Sequence, residues 1–140
     1  MTKPVLAVVE GPCAGAGMSM MAACDLAIAS EDSMFTLAYS NLGASPDGGS
    51  SYFLPRILGT RKALELAFLP DRFDAATALN LGLVNWVVPK GELEMRVATI
   101  ANRIEKWSAG RLSGVIAVTD DMADRFRPYR ANVITVKTLP

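Results

Sequence analysis

The sequence predicts an α/β fold in which short parallel strands are joined by crossover helices. Three observations carry that expectation. "VLAVVEG" (5–11) and "DLAIAS" (25–30) are short apolar runs of strand length. The stretch between them, "AGAGMSMMAAC" (14–24), is small and unbranched, good helix material. A glycine-rich entry, "GPCAGAG" (11–17), separates the first run from that helix, so strand, turn, helix and strand follow in the order that a right-handed parallel crossover requires.

The remaining elements can be justified in turn. "MFTLA" (34–38) reads as a third short strand. "SSYFLPRILG" (50–59) and "TRKALELAFL" (60–69) read as helices divided at Gly59. "DAATALNLG" (74–82) is a helix with Asp74 as N-cap and Gly82 as stop. "LVNWVV" (83–88) is a strand. "GELEMRVATIANRIEKW" (91–107) places apolar residues at 93, 97, 100, 101 and 104, the stripe of an amphipathic helix. Residues 1–107 are therefore one organised unit, and the tail, 108–140, loses this order. A strand as apolar as the first needs neighbours on both sides and helices on both faces. Few strands remain to supply them, so the sequence is expected to be part of a domain.

Composition narrows the function classes. The 140 residues hold one domain at most, and 51% are apolar, enough for a core. Fourteen basic and 14 acidic residues cancel, with no long block of one sign, which argues against a nucleic-acid or anionic-membrane surface. No run reaches membrane-spanning length. Two cysteines and no signal-peptide pattern fit a reducing cytoplasm. There is no histidine, so these residues hold no Ser-His-Asp triad, Cys-His pair or His-ligated zinc. Acid–base chemistry must come from Asp, Glu, Tyr, Lys or Cys.

Two places could carry chemistry. The glycine-rich turn at a helix start offers backbone N–H groups to something negative. It is neither a Walker loop, since Met18 and Ser19 follow Gly17, nor a dinucleotide fingerprint, since position 20 is Met. Gly15 and Gly17 also fit a plainer role, allowing tight strand–helix packing. The second place is "SPDGGSSY" (45–52), where Asp47 sits between Pro46 and Gly48-Gly49 before a helix. It suits an N-cap or turn. It is also the one acid between Glu10 and Arg56 flanked by glycines, which would let a ligand approach the backbone closely.

The Lys-Pro-Val strand start, the Ala-Gly-x-Gly loop, Cys-Asp-Leu, the Pro-x-Gly-Gly turn, Leu-Pro-Arg and Ala-x-x-Leu-Gly-Leu-Val together resemble the crotonase (enoyl-CoA hydratase/isomerase) superfamily over about residues 3–107. The resemblance implies the C-terminal half of a ββα spiral, with parallel strands and crossover helices, assembled as a homotrimer or hexamer. It implies an acyl-CoA substrate and no separate cofactor, coenzyme A being part of the substrate. Two backbone N–H groups would hold the thioester oxygen. One maps to Ala16, within the Ala14-Gly15-Ala16-Gly17 loop; the other belongs to an N-terminal half that these residues lack.

The hydratases of the family use two glutamates, and their positions fall here at Ser19 and Tyr39. Both carboxylates are absent, which argues against hydration. Asp47 falls where the Δ3,Δ2-enoyl-CoA isomerases and the ring-epoxyphenylacetyl-CoA isomerase carry a single acidic base. Tyr39, Leu42 and Phe53 would be apolar walls that raise its pKa, or ordinary core residues. Gly43 belongs to the same substrate-binding stretch. The aryl-CoA dehalogenases of the family use an Asp at this place as a nucleophile, but with a Trp where this chain has Tyr39. Isomerisation with Asp47 as base is thus the expectation, with hydration or a non-catalytic remnant as alternatives. After "EKWSAG" the family pattern stops at Gly110-Arg111-Leu112, so residues from about Arg111 onward are expected to be a frameshifted tail.

Overall fold

The computed structural model describes residues 4–107, and the expectations for the tail, 108–140, lie outside them. The described residues form six strands and five helices. They run β1 (Leu6–Val9), β2 (Pro12–Ala14), α1 (Ala16–Ala22), β3 (Leu26–Ser30) and β4 (Met34–Thr36), then a 3₁₀ turn at Tyr39–Leu42. After it come α2 (Ser50–Leu58), α3 (Thr60–Phe68), β5 (Phe73–Asp74), α4 (Ala75–Asn80), β6 (Trp86–Val88), a 3₁₀ turn at Lys90–Glu92 and α5 (Leu93–Trp107). No helix among the described residues is long and apolar enough to cross a membrane.

The strands form two three-stranded sheets, β1-β3-β6 and β2-β4-β5. In the first, β1 pairs in parallel with β3, Leu6 opposite Leu26 and Val8 opposite Ile28, and β3 pairs in parallel with β6. The parallel α/β arrangement expected from the sequence is therefore present. Two side chains extend the pairing beyond the backbone ladder. Asp25 accepts a hydrogen bond from the Val5 N–H (2.8 Å), and Asn85 from the Ala27 N–H (2.8 Å).

Both faces of this sheet are covered, which is why its strands read as continuous apolar runs. Leu6, Val8 and Ile28 pack on one face against Leu93, Val97 and Ile100 of α5. Ala101 and Ile104 pack at the margin of that cluster, so all five positions of the α5 stripe serve it. The alternate residues Ala7, Val9, Ala27 and Ala29 face the other way, in a cluster with Met18 and Met21 of α1, Phe35 and Leu54. Alanines on that face let α1 lie close to the sheet.

The second sheet was not legible in advance. The sequence predicts a glycine-rich entry at 11–17 and a helix from 14, yet Pro12–Ala14 pairs in parallel with Met34–Thr36 as a strand and the helix begins at Ala16. The two-residue β5 adds an antiparallel edge, Phe73 opposite Phe35. Both are too short to show a period, and pairing with β4 is what makes them strands. This sheet anchors the turn that follows it: the Gly15 N–H donates to the Thr36 carbonyl (3.1 Å).

Candidate active site

The site lies where α1, the turn after β4 and the start of α2 meet. Gly15 ends the strand–turn with φ 49° and ψ −117°, a conformation that only glycine adopts without strain. Ala16 then opens α1, so its N–H belongs to the first turn, where backbone donors lack intrahelical partners. Gly17, Met18 and Ser19 are buried directly after it. Ala14 pairs with Thr36 in β2, one residue before the turn.

After β4 the chain reverses at Ala38, the one non-glycine residue with positive φ (55°) among the described residues. This left-handed residue leads into the 3₁₀ turn that carries Tyr39. "SPDGGS" then forms a second reversal, with Gly48 at φ 58° and Gly49 at φ 84°. A Cβ on Gly48 would stand 3.0 Å from the Ser19 Cβ, and one on Gly49 2.9 Å from the Phe53 ring. Glycine is therefore required at both for two reasons, backbone sign and close approach.

These two reversals and α1 bring three side chains into one hydrogen-bonded chain. The Tyr39 hydroxyl donates to the Asp47 carboxylate. The Ser19 hydroxyl, fully buried, lies 3.1 Å from the Tyr39 oxygen and 3.2 Å from the Gly15 carbonyl. Proton counting fixes the directions. Tyr39 has one proton, and it goes to Asp47; the single Ser19 proton is left to bridge Gly15 and Tyr39. Burial pushes the Tyr39 pKa above its ordinary value, the Asp47 carboxylate adds to that shift, and the Ser19 hydroxyl opposes it. The phenol is therefore held protonated, as a donor.

The side chain of Asp47 does not cap α2. The N-cap is Gly49, without a side-chain hydrogen bond. The Asp47 main-chain carbonyl shapes the turn instead, accepting from the Ser50 N–H (3.0 Å) and the Ser50 hydroxyl (2.7 Å). The bland role thus belongs to its backbone, and its carboxylate is left to Tyr39. Several neighbouring acids are committed elsewhere. Glu10 and Asp32 bind Lys90 (3.0 and 3.5 Å), and Asp25 holds β1. Burial raises the thiols, Cys13 to about 12 and Cys24 to about 11, so neither is a ready nucleophile at neutral pH.

The expected apolar walls are only partly there. Tyr39 and Phe53 are half-buried and pack on the main core cluster. Leu42 is 83% exposed, Gly43 is exposed, and so is Asp47 itself. In the described residues these side chains do not seal the carboxylate from water. Leu37, Pro46, Leu54, Ala63, Ala67 and Phe68 border an apolar cavity of about 220 Å³.

Sequence reasoning treated Ser19 and Tyr39 as two separate replacements and missed that they touch. A signal was available. The resemblance assigns positions 19 and 39 to two cooperating carboxylates, and groups that cooperate on one substrate must be neighbours in space.

The family model described as enoyl-CoA hydratase/isomerase matches residues 1–137, and the chain belongs to that family, the crotonase superfamily. Among curated relatives, it is 39% identical over 117 residues to a peroxisomal Delta(3,5)-Delta(2,4)-dienoyl-CoA isomerase of Arabidopsis thaliana, covering 83% of this chain and 42% of the relative. It is 37% identical over 102 residues to 4-chlorobenzoyl coenzyme A dehalogenase-1 of an Arthrobacter species, covering 73% of this chain and 37% of the relative. Among solved structures, an enoyl-CoA hydratase from Mycobacterium avium subsp. paratuberculosis superposes with a TM-score of 0.71 at 44% identity, over 74% of this chain and 42% of that one. An enoyl-CoA hydratase from Polaromonas sp. JS666 gives 0.69 at 41% identity, over 74% and 40%. The chain thus spans about two-fifths of the length of the relatives it matches.

Proposed function

We propose that this site shifts the double bond of an enoyl-CoA thioester, with Asp47 as its single base. The observation that carries the reading is the hydroxyl chain. Positions 19 and 39 supply Ser and Tyr, and Asp47 is the only carboxylate on that chain. Hydration would require a second group to activate water; isomerisation does not. Asp47 takes a proton from C2, and the electron pair of that C–H bond moves into the thioester, whose oxygen becomes negative. The Ala16 N–H stabilises that oxygen. The conjugated enolate then takes the proton back from Asp47 at C4, leaving the double bond between C2 and C3.

The test is the rate at which the full chain converts a 3-enoyl-CoA to its 2-isomer, measured beside deuterium uptake at C2 of a saturated acyl-CoA. Asp47→Asn should slow both by about a hundredfold or more, the usual scale of lost general-base catalysis. A wild-type chain without isomerisation, or an Asn variant as fast as wild type, overturns the reading. Chloride release from 4-chlorobenzoyl-CoA would instead make Asp47 a nucleophile.

A further inference from the structure

We propose that Tyr39 is the positioning residue of Asp47 and that Ser19 in turn fixes Tyr39, so that a two-hydroxyl strut ties the carboxylate to the glycine turn at Gly15. The catalytic part of this inference rests on the reading of Asp47 as the base; the strut itself does not.

Three observations carry it. An exposed carboxylate on a glycine-flanked turn has wide rotational freedom, and the Tyr39 hydroxyl is the side-chain donor that restrains it. Tyr39 is anchored where Asp47 is exposed. Its ring packs on the main core cluster, and its backbone follows the left-handed Ala38. Ser19 is fully buried on α1, and its hydroxyl reaches both Tyr39 and the carbonyl of Gly15. The glycine turn and the carboxylate are 32 positions apart in sequence (15 and 47), and this strut links them without a water or a long flexible side chain. Gly48 completes the arrangement. Its lack of a Cβ lets the Asp47 turn sit against Ser19 itself, at a separation any other residue would disturb.

A misplacement of the base by a fraction of an ångström is costly to proton transfer. Tyr39→Phe keeps the ring and removes only the donor. It should lower kcat about tenfold to a hundredfold with KM little changed. Ser19→Ala should act in the same direction and more weakly, because it reaches Asp47 only through Tyr39. In the Asp47→Asn background the Tyr39→Phe effect should disappear.

A second measurement needs no activity. The chain has three tyrosines, Tyr39, Tyr52 and Tyr129. Ring-labelled tyrosine NMR, assigned with Tyr52→Phe and Tyr129→Phe, reports the ionisation of Tyr39 in the full chain. Tyr39 should ionise at a higher pH in wild type than in Asp47→Asn, because the variant lacks the negative acceptor. Unchanged Tyr39 ionisation in Asp47→Asn overturns the strut, whatever the enzyme does. A changed ionisation with Tyr39→Phe at full speed, while Asp47→Asn is slow, keeps the contact and overturns its positioning role. Loss of activity in neither variant, with the ionisation shift intact, overturns the function proposed for Asp47 and leaves the strut standing.

Discussion

The β1-β3-β6 sheet with α5 and the loops around Ser19, Tyr39 and Asp47 are built by opposite rules. In the sheet the large apolar residues do what their type prefers, and the buried Ser30 that ends β3 is the exception. Leu6, Val8 and Ile28 are buried, β-branched or bulky, and paired in register, and α5 answers with Leu93, Val97 and Ile100 at helical spacing. At the site, residues are placed where their type is a poor fit or where glycine alone fits. Gly15, Ala38, Gly48 and Gly49 all have positive φ. The buried hydroxyl of Ser19 reaches out of its own helix to Tyr39. The sheet gains stability from burial, whereas the site uses backbone exceptions to bring three polar side chains from separate segments into contact.

The contrast breaks if scaffold and site respond alike to substitution. Ile28→Ala should have the largest effect on stability. It empties space between β3 and α5 and should cost about 2–5 kcal/mol in denaturant unfolding, with Tyr39 ionisation unchanged as long as the chain is folded. Gly48→Ala should cost less, about 1–3 kcal/mol for a side chain forced into a left-handed conformation. Yet it should disturb Tyr39 ionisation, because its new Cβ would meet Ser19 at 3.0 Å. If Ile28→Ala perturbs Tyr39 and Gly48→Ala does not, the division between the regions is wrong.

The same division decides what the sequence could show. Scaffold features were legible because they repeat or punctuate. The α5 stripe fell where the periodicity put it. Asp74 accepts from the Thr77 N–H (2.8 Å) as an N-cap should, α2 and α3 divide at Gly59, and Gly82, at φ 73°, ends α4. The short strands β2 and β5 were hidden, since two or three residues have no period and exist only through β4. At the site, sequence singled out Asp47, the glycine turn, Ser19 and Tyr39 as positions. It did not show that the last two touch, or that Leu42 faces outward. Those depend on two chain reversals, and one of them turns on Ala38, a residue whose type gives no hint of positive φ.

A pH experiment sharpens the comparison from the site's side. The Tyr39 pKa is raised in the folded chain, by burial first and by Asp47 next. The folded state therefore holds this proton more tightly than the unfolded state. The stability this contributes is fully present below the ordinary tyrosine value of about 10 and is lost as pH rises through the folded-state value. The stability difference between wild type and Tyr39→Phe should accordingly be constant near neutral pH and should drift against wild type in alkali. A difference that stays flat across the alkaline range would mean that Tyr39 is not held as a protonated donor.

The smallest expected effect is at Ala38, and it separates the two building rules most directly. A left-handed backbone costs an L-residue about 1–2 kcal/mol, and Ala38 bears that strain immediately before Tyr39. Ala38→Gly relieves it but gives the unfolded chain more freedom, a loss of about 0.5–1 kcal/mol. The balance is a gain of about 0–1.5 kcal/mol, seen as a rise of a few degrees at most in the thermal midpoint. On a scaffold position such a gain would come without consequence. Here the glycine also frees the reversal that aims Tyr39, so Asp47 should be held less firmly. The variant should be slightly more stable and slower in C2 deuterium exchange, and Tyr39 should ionise closer to the ordinary tyrosine value. If Ala38→Gly is more stable and equally fast, the left-handed alanine is an accident of the chain path. If it is less stable, the strain at Ala38 is being repaid by contacts that a glycine loses, and the reversal belongs to the scaffold.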